Sequence, residues 1–419
     1  MTLTPWERLC ATLPPTTAAI IQTAGGFTRI RGIASPLLLL RIILVAALAP
    51  RWSFRTLGLW CLAHGLADLS HVALLRRMRT AHRWLGPLLH TLLALPRTTL
   101  PPVRIAILDA TVITKPASRG TDWRIHLAID LASQSIVDAQ VTDATGAEGF
   151  ARWSHDPTTI LVADRGYAYP ASLRAVLAAN QPFVVRANLQ NLRLFTAAGT
   201  RLAMTTWLTE VACHGQAACS VWLEATATTA PMRVVATALP QEVADRARAT
   251  KRRMNPTARA ATIMAAGFVI LLTNLAASVW DTAAVVAVYR LRWQIELRIK
   301  RLKQLGDLGT LRVRRDPDLG RSVLLARVVA AVLVDRQHAT MIVIDDPAWG
   351  VATTPISRWR VEQWAWTVLR ERVLGVLPPD WTLRIPQMRR LFGASTTRRP
   401  HQASAAVAWF AAWNRALEA

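Results

Sequence analysis

Cysteine is scarce: Cys10, Cys61, Cys213 and Cys219 are the only four in 419 residues. They show neither the close paired spacing of a zinc site nor the density of a disulfide scaffold, so both are excluded. Lysine is equally scarce, with Lys115, Lys251, Lys300 and Lys303 the only four among 50 basic residues. Two of them share one short segment, and an ammonium differs from a guanidinium in geometry and hydration. Acidic residues are few, 26 against those 50, which leaves a formal charge of +24 and a pI near 11.6. That balance favours a polyanionic partner, nucleic acid first. A long apolar run is missing as well. Pro36 to Pro50 is largely aliphatic but short, and it carries Arg41, whereas a spanning helix needs roughly 20 apolar residues. It reads as a buried helix. The N-terminus lacks the charged, apolar and small-residue succession of a signal peptide, so a cytoplasmic, nucleoid-associated protein with no membrane partner is expected.

The chain is long enough for a sizeable core with attached modules. Residues 1–100 read as a helical DNA-binding region, with eleven basic residues against Glu7 and Asp68 and a helix start at Asp68-Leu69-Ser70. The Pro-rich segment from Pro96 to Pro102 marks a boundary. Short strands follow at Arg104–Thr111, Ile125–Leu131, Ser135–Ala144, Thr159–Asp164 and Phe183–Asn188, with a helix at Pro170–Asn180. Three strands, then alternating helix and strand, predict an α/β core over 101–190. Residues 191–265 are Thr-rich and read as a β-rich insertion with a basic stretch, Arg246–Arg259, behind it. The core resumes over 266–345 with a strand at Phe268–Leu275 and one helix from Thr282 to Leu305. Residues 346–419 read as a helical, basic C-terminal region.

Asp109 and Asp164 each end an apolar strand, where a carboxylate costs desolvation energy unless a cation or donor meets it. For either alone, capping the next turn is the simpler reading. A third carboxylate, Glu296, lies in a segment with nine basic and two acidic residues between Ala287 and Arg315. On a continuous helix, Tyr289, Arg292, Glu296 and Lys303 share one face. An exposed Arg292–Glu296 pair is the competing reading. Asp122, Asp130, Asp143 and Glu148 read as structural or supporting, His126 as a satisfied sheet histidine, and Arg165 and Arg186 as DNA contacts or partners of nearby carboxylates.

The spacing Y-x2-R-x3-E-x6-K from Tyr289 to Lys303, with Asp164-Arg-Gly-Tyr167 after an apolar strand, resembles the insertion-sequence-four family of DDE transposases. Thr121–His126, Thr142–Glu148 and Phe183–Asn188 extend the likeness. It implies a ribonuclease-H-like core with Asp109, Asp164 and Glu296 as catalytic ligands of two Mg²⁺ ions, replaceable by Mn²⁺. Such a pair serves in-line phosphodiester displacement. It also implies DNA contacts at Tyr289, Arg292 and Lys303, with Trp293 wedging against a flipped base. Terminal inverted repeats and target DNA would be the partners, and a homodimer would pair the two ends. A ribonuclease-H-like nuclease without strand transfer and a silent DNA-binding derivative are the alternatives.

Overall fold

A computed structural model describes residues 3–27, 32–49, 51–95, 103–153, 156–226, 229–313, 315–341 and 357–378, with 388 and 391–392. The Pro-rich boundary and most of 346–419 lie outside them. Eight strands form one mixed sheet: β1 (Arg104–Ile113), β2 (Trp123–Asp130), β3 (Ile136–Asp143), β4 (Thr159–Ala163), β5 (Phe183–Arg186), β6 (Gln216–Val221), β7 (Met232–Ala238) and β8 (Phe268–Thr273). Their order is β3-β2-β1-β4-β5-β8-β7-β6. β1 pairs antiparallel with β2 and parallel with β4, and β4 runs parallel to β5. β8 returns antiparallel to β5 and carries β7 and β6 beyond it. This is the α/β class expected, and the first five strands match the ribonuclease-H-like order.

Both faces of the sheet are buried, so its central strands are continuously apolar rather than alternating. On β1, Ile105 and Ile107 join one core while Ala106 and Leu108 join the other. On β4, Ile160 and Val162 join the first, Leu161 and Ala163 the second. The first core is roofed by α1 (Pro5–Cys10), α2 (Thr17–Thr23), α3 (Pro36–Leu48), α4 (Phe54–Ala63), α5 (His71–Thr80), α6 (His82–Ala94), α13 (Pro317–Met341) and α14 (Arg358–Leu374). The aliphatic run is thus the buried helix expected. Arg41 is accommodated at its centre between the rings of Trp6 and Trp60, donating from Nε to the Val373 carbonyl at 2.7 Å. Ser70 caps α5 as read, its Oγ accepting from the Ala73 N–H at 3.2 Å. α5 and α6 pack on α13, and Arg79 pairs with Asp316. The second core is closed by α7 (Pro170–Ala178) and α8 (Met204–His214).

The segment between β5 and β8 is less purely β than its Thr content suggested. It supplies two strands to the main sheet but also α8, α9 (Gln241–Met254) and α10 (Ala260–Ala265). In α8 the buried Trp207, Leu208 and Val211 recur at helical spacing. That packing overrides the strand preference of its β-branched threonines.

The helix expected from Thr282 to Leu305 is two helices, α11 (Thr282–Arg290) and α12 (Trp293–Leu305). Between them the bonds shorten to i→i−3: Leu291 to Val288, Arg292 to Tyr289, Gln294 to Leu291 and Ile295 to Arg292. Neither Gly nor Pro marks the junction. This tighter winding turns both Leu291 and Ile295 into the core and eclipses residues three apart. No membrane-crossing helix, long and apolar enough, occurs among the described residues.

Candidate active site

Strand alternation aims the two aspartates. Leu108 on β1 registers with Ala163 on β4, so Asp109 and Asp164 are the next residues on neighbouring parallel strands, about 4.8 Å apart at the backbone. Asp109 follows Ile105 and Ile107 in parity, and Asp164 follows Ile160 and Val162. Both carboxylates therefore face the side of the sheet that carries α12. Neither simply caps a turn. Asp109 Oδ1 accepts from the Ala110 N–H at 2.8 Å. Asp164 precedes a short 3₁₀ turn but makes no side-chain cap, accepting instead from the Tyr289 hydroxyl at 3.2 Å.

The 3₁₀ junction explains the basic partners. Because Tyr289 and Arg292 are eclipsed, the Arg292 guanidinium lies over the Tyr289 ring, 6.0 Å from its centroid. From there it pairs with Glu296. The i,i+4 pair weighed against a catalytic reading is thus present, but it is half-buried and beside the aspartates. Burial pulls the guanidinium pKa down, and the bond to Glu296 with the charges of Tyr289 and Asp164 more than offsets this. Burial pushes Asp109 up to about 6, helped by Glu148 and Asp164 and opposed by the Ala110 N–H and by Arg292. Tyr289 is pushed up to about 12 by burial and then by Asp164.

Carboxylate oxygens are the donors hard divalent cations take, so Asp109 and Asp164 fit such an ion in kind. Among the described residues, however, no three His, Cys, Asp or Glu side chains converge closely enough to hold one, and Glu296 is turned to Arg292. Trp293, first in α12, is 49% exposed. Lys303 lies two turns beyond Glu296 on α12, its methylenes against Gly309.

Glu148 comes closer than its sequence context announced. Its loop is tied by Arg124, which donates to the Gly146 carbonyl at 3.0 Å, by Arg152 on the Ala147 carbonyl, and by Ser172, which accepts from the Phe150 N–H. Glu148 Oε2 occupies the space over Gly166 that a Cβ would fill. Burial raises its carboxyl above the ordinary range, opposed by Arg124 and reinforced by Asp164. The paired glycine and acid in Asp164-Arg-Gly166 and Ala147-Glu148 were the available signal. Asp122 pairs with Lys115, while Asp130 and Asp143 cap their own turns. His126 is buried, its Nε2 2.9 Å from Thr142 Oγ1.

Paired carboxylates at the carboxyl ends of central parallel strands, beside a basic helix, stand where α/β folds place their sites. A family model described as "Transposase DDE domain" matches residues 101–329. The chain belongs to the DDE transposases. Over 327 residues it is 33% identical to the transposase for insertion sequence element IS421 of Escherichia coli, covering 75% of this chain and 88% of that one. It is 34% identical over 328 residues, with the same coverage, to the putative transposase InsL for insertion sequence element IS186A of Escherichia coli K12. A solved piggyBac transposase synaptic complex with hairpin DNA aligns over 94% of this chain and 85% of that one, at 9% identity and a TM-score of 0.41, a likeness too low to bear on mechanism. The protein is thus an insertion-sequence transposase, an enzyme that acts on DNA with divalent metal ions.

Proposed function

We propose that this transposase, of the insertion-sequence-four type, binds terminal inverted repeats, cleaves them and joins the freed 3′ ends to target DNA by cut-and-paste. The observation that carries this is the adjacency of Asp109 and Asp164 beside the Tyr289–Arg292–Glu296 group. Asp109, Asp164 and Glu296 would hold two Mg²⁺ ions, with Mn²⁺ able to substitute. Bound there, the metal pair supplies charge stabilisation to the attacking and leaving oxygens of an in-line displacement. Arg292 neutralises a phosphate by a fork, Lys303 by a point charge, and Tyr289 orients Asp164 through its hydroxyl. Trp293, exposed at the head of α12, is placed to stack on an unstacked base. The N-terminal helices add repeat recognition through exposed basic side chains such as Arg76, and two protomers pair the ends in the cytoplasm.

The test incubates the purified chain with its flanking repeats on labelled duplex, a supercoiled target and Mg²⁺ or Mn²⁺. End cleavage followed by labelled strand-transfer product is expected. Cleavage without transfer would favour the nuclease, and salt-sensitive binding without cleavage the silent DNA binder.

Glu148 supports this metal site by orienting Asp164 or a bound water. Partners behind metal ligands are typically worth about 10–100-fold in metal affinity. Glu148→Gln should therefore weaken Mn²⁺ binding about 10-fold, followed by the ion's own resonance signal. Gly166→Ala, which pushes the Glu148 carboxylate aside, should do the same. Unchanged Mn²⁺ affinity in both variants would leave Glu148 a loop residue only.

A further inference from the structure

The basic stretch 246–259 has no place in the chemistry above, and the sheet shows where it sits. β8 is antiparallel to β5, and Arg186, the last residue of β5, registers with Leu271. Ala238, the last residue of β7, registers with Phe268, the first of β8. The β7–β8 connection, residues 239–267, therefore leaves the sheet at the end where β1, β4 and β5 finish, the end that carries Asp109 and Asp164. Two other exposed arginines, Arg165 and Arg186, stand at that same end.

α9 is anchored there by few groups. Ala244 is its one buried residue. Arg248 pairs with Asp245 at 3.1 Å and covers Gly267, where a Cβ would meet its Nη2 at 2.5 Å, so Arg248 is structural. Arg246, Arg252, Arg253 and Arg259 are exposed and Lys251 is half-buried. None of these five has a carboxylate partner among the described residues. The helix dipole favours cations in the last turn, which accounts for Lys251, Arg252 and Arg253. It accounts for neither Arg246, a turn and a half earlier, nor Arg259, beyond the helix. Five unneutralised cations repel one another unless an anion meets them.

We propose that α9 is a DNA contact surface that takes the phosphate backbone of duplex DNA, without reading sequence, next to the cleavage site. An anionic membrane is the poorer partner. An interfacial helix needs a continuous apolar face, and α9 exposes only Val243 and Met254 as large apolar side chains. The inference takes its partner from the transposase reading, so its test is made without cleavage.

The full chain is titrated with a random-sequence duplex in EDTA at several salt concentrations, followed by anisotropy. Each phosphate contact contributes about 0.9 to the slope of log affinity against log salt. Replacing Arg246, Lys251, Arg252 and Arg253 with Ala should lower that slope by about 2–4 and the affinity at about 150 mM salt at least 10-fold. The same four positions as lysine, in the variant R246K/R252K/R253K with Lys251 kept, should retain the slope. That arm separates lost charge from a lost fold. Equal slope and affinity in wild type and the alanine variant would overturn the proposal while leaving DNA binding intact. A wild type with no salt-dependent binding would overturn both readings. Binding to anionic lipid vesicles that the alanine variant loses, with DNA binding unchanged, would assign α9 to a membrane instead.

Discussion

Asp109→Asn will cut no DNA, yet in metal-free buffer at neutral pH it will melt at a higher temperature than the wild-type protein. Burial pushes the Asp109 carboxyl from an ordinary 3.8 up to about 6, so the folded chain holds that proton more tightly than the unfolded one. The stability this gives is fully present below pH 3.8 and is lost as pH rises through 6. At neutral pH the ionised carboxylate thus costs the fold on the order of 2–3 kcal/mol. Asparagine keeps the shape and its oxygen can still accept from the Ala110 N–H, but it carries no charge. The variant should gain a few degrees at pH 7.5, and the two proteins should converge near pH 4. Added Mn²⁺ should raise the wild-type midpoint, because a cation replaces the missing proton, and leave the variant unmoved. Cleavage should fall at least about 10³-fold, equivalent to about 4 kcal/mol of transition-state stabilisation. Cleavage within 10-fold of wild type would remove Asp109 from the chemistry. A lower melting point at neutral pH would overturn the electrostatic account.

A buried carboxylate at a strand end costs stability, and its sequence signal was strong for that reason. A carboxylate at the end of an apolar strand is a local inconsistency, and inconsistencies of that kind gather at functional sites. The strand-end placement of Asp109 and Asp164 on neighbouring strands was legible in this way, and so were six of the eight strands and α7. The kink at Leu291–Arg292 was not. It has no Gly or Pro, and arises because Leu291 and Ile295 both find room in a core assembled from distant segments. The face predicted for an unbroken helix therefore differs from the observed one, in which Tyr289 and Arg292 stack. In the insertion, α8 was masked by its threonines, whose strand preference yields to packing. The position of Glu148 depends on arginines 22 and 5 residues from the carbonyls they hold, and spacing in sequence does not report such pairings.

The other unread feature is a buried ion cluster that fixes α12. Arg298, 1% exposed, gives Nη1 to Glu362 on α14 at 2.7 Å and Nη2 to Asp335 on α13. Arg301 reaches Glu362 at 2.9 Å, and Asp335 also accepts from the Ile136 N–H of β3 at 2.9 Å. Its signal was available: Ile295, Arg298 and Leu302 form one apolar stripe with a charge in the middle, and Asp335 closes the apolar run of α13. Removing one member of a buried ion group leaves a charge uncompensated and costs about 3–5 kcal/mol. Arg298→Met should therefore destabilise the protein by that amount in urea. Since α12 carries Glu296 and follows directly on Arg292, cleavage should also drop at temperatures where the variant is still folded. The cause is testable by sign. Asp335→Asn alone should be destabilising, since it strips Arg298 of a partner. Added to Arg298→Met, it should instead restore part of the stability, because the carboxylate it neutralises is then unpaired and the asparagine oxygen can still accept from Ile136. If the double variant is less stable than Arg298→Met, the cost is packing rather than charge, and α14, which lies beyond the matched domain at 101–329, holds α12 by contact alone.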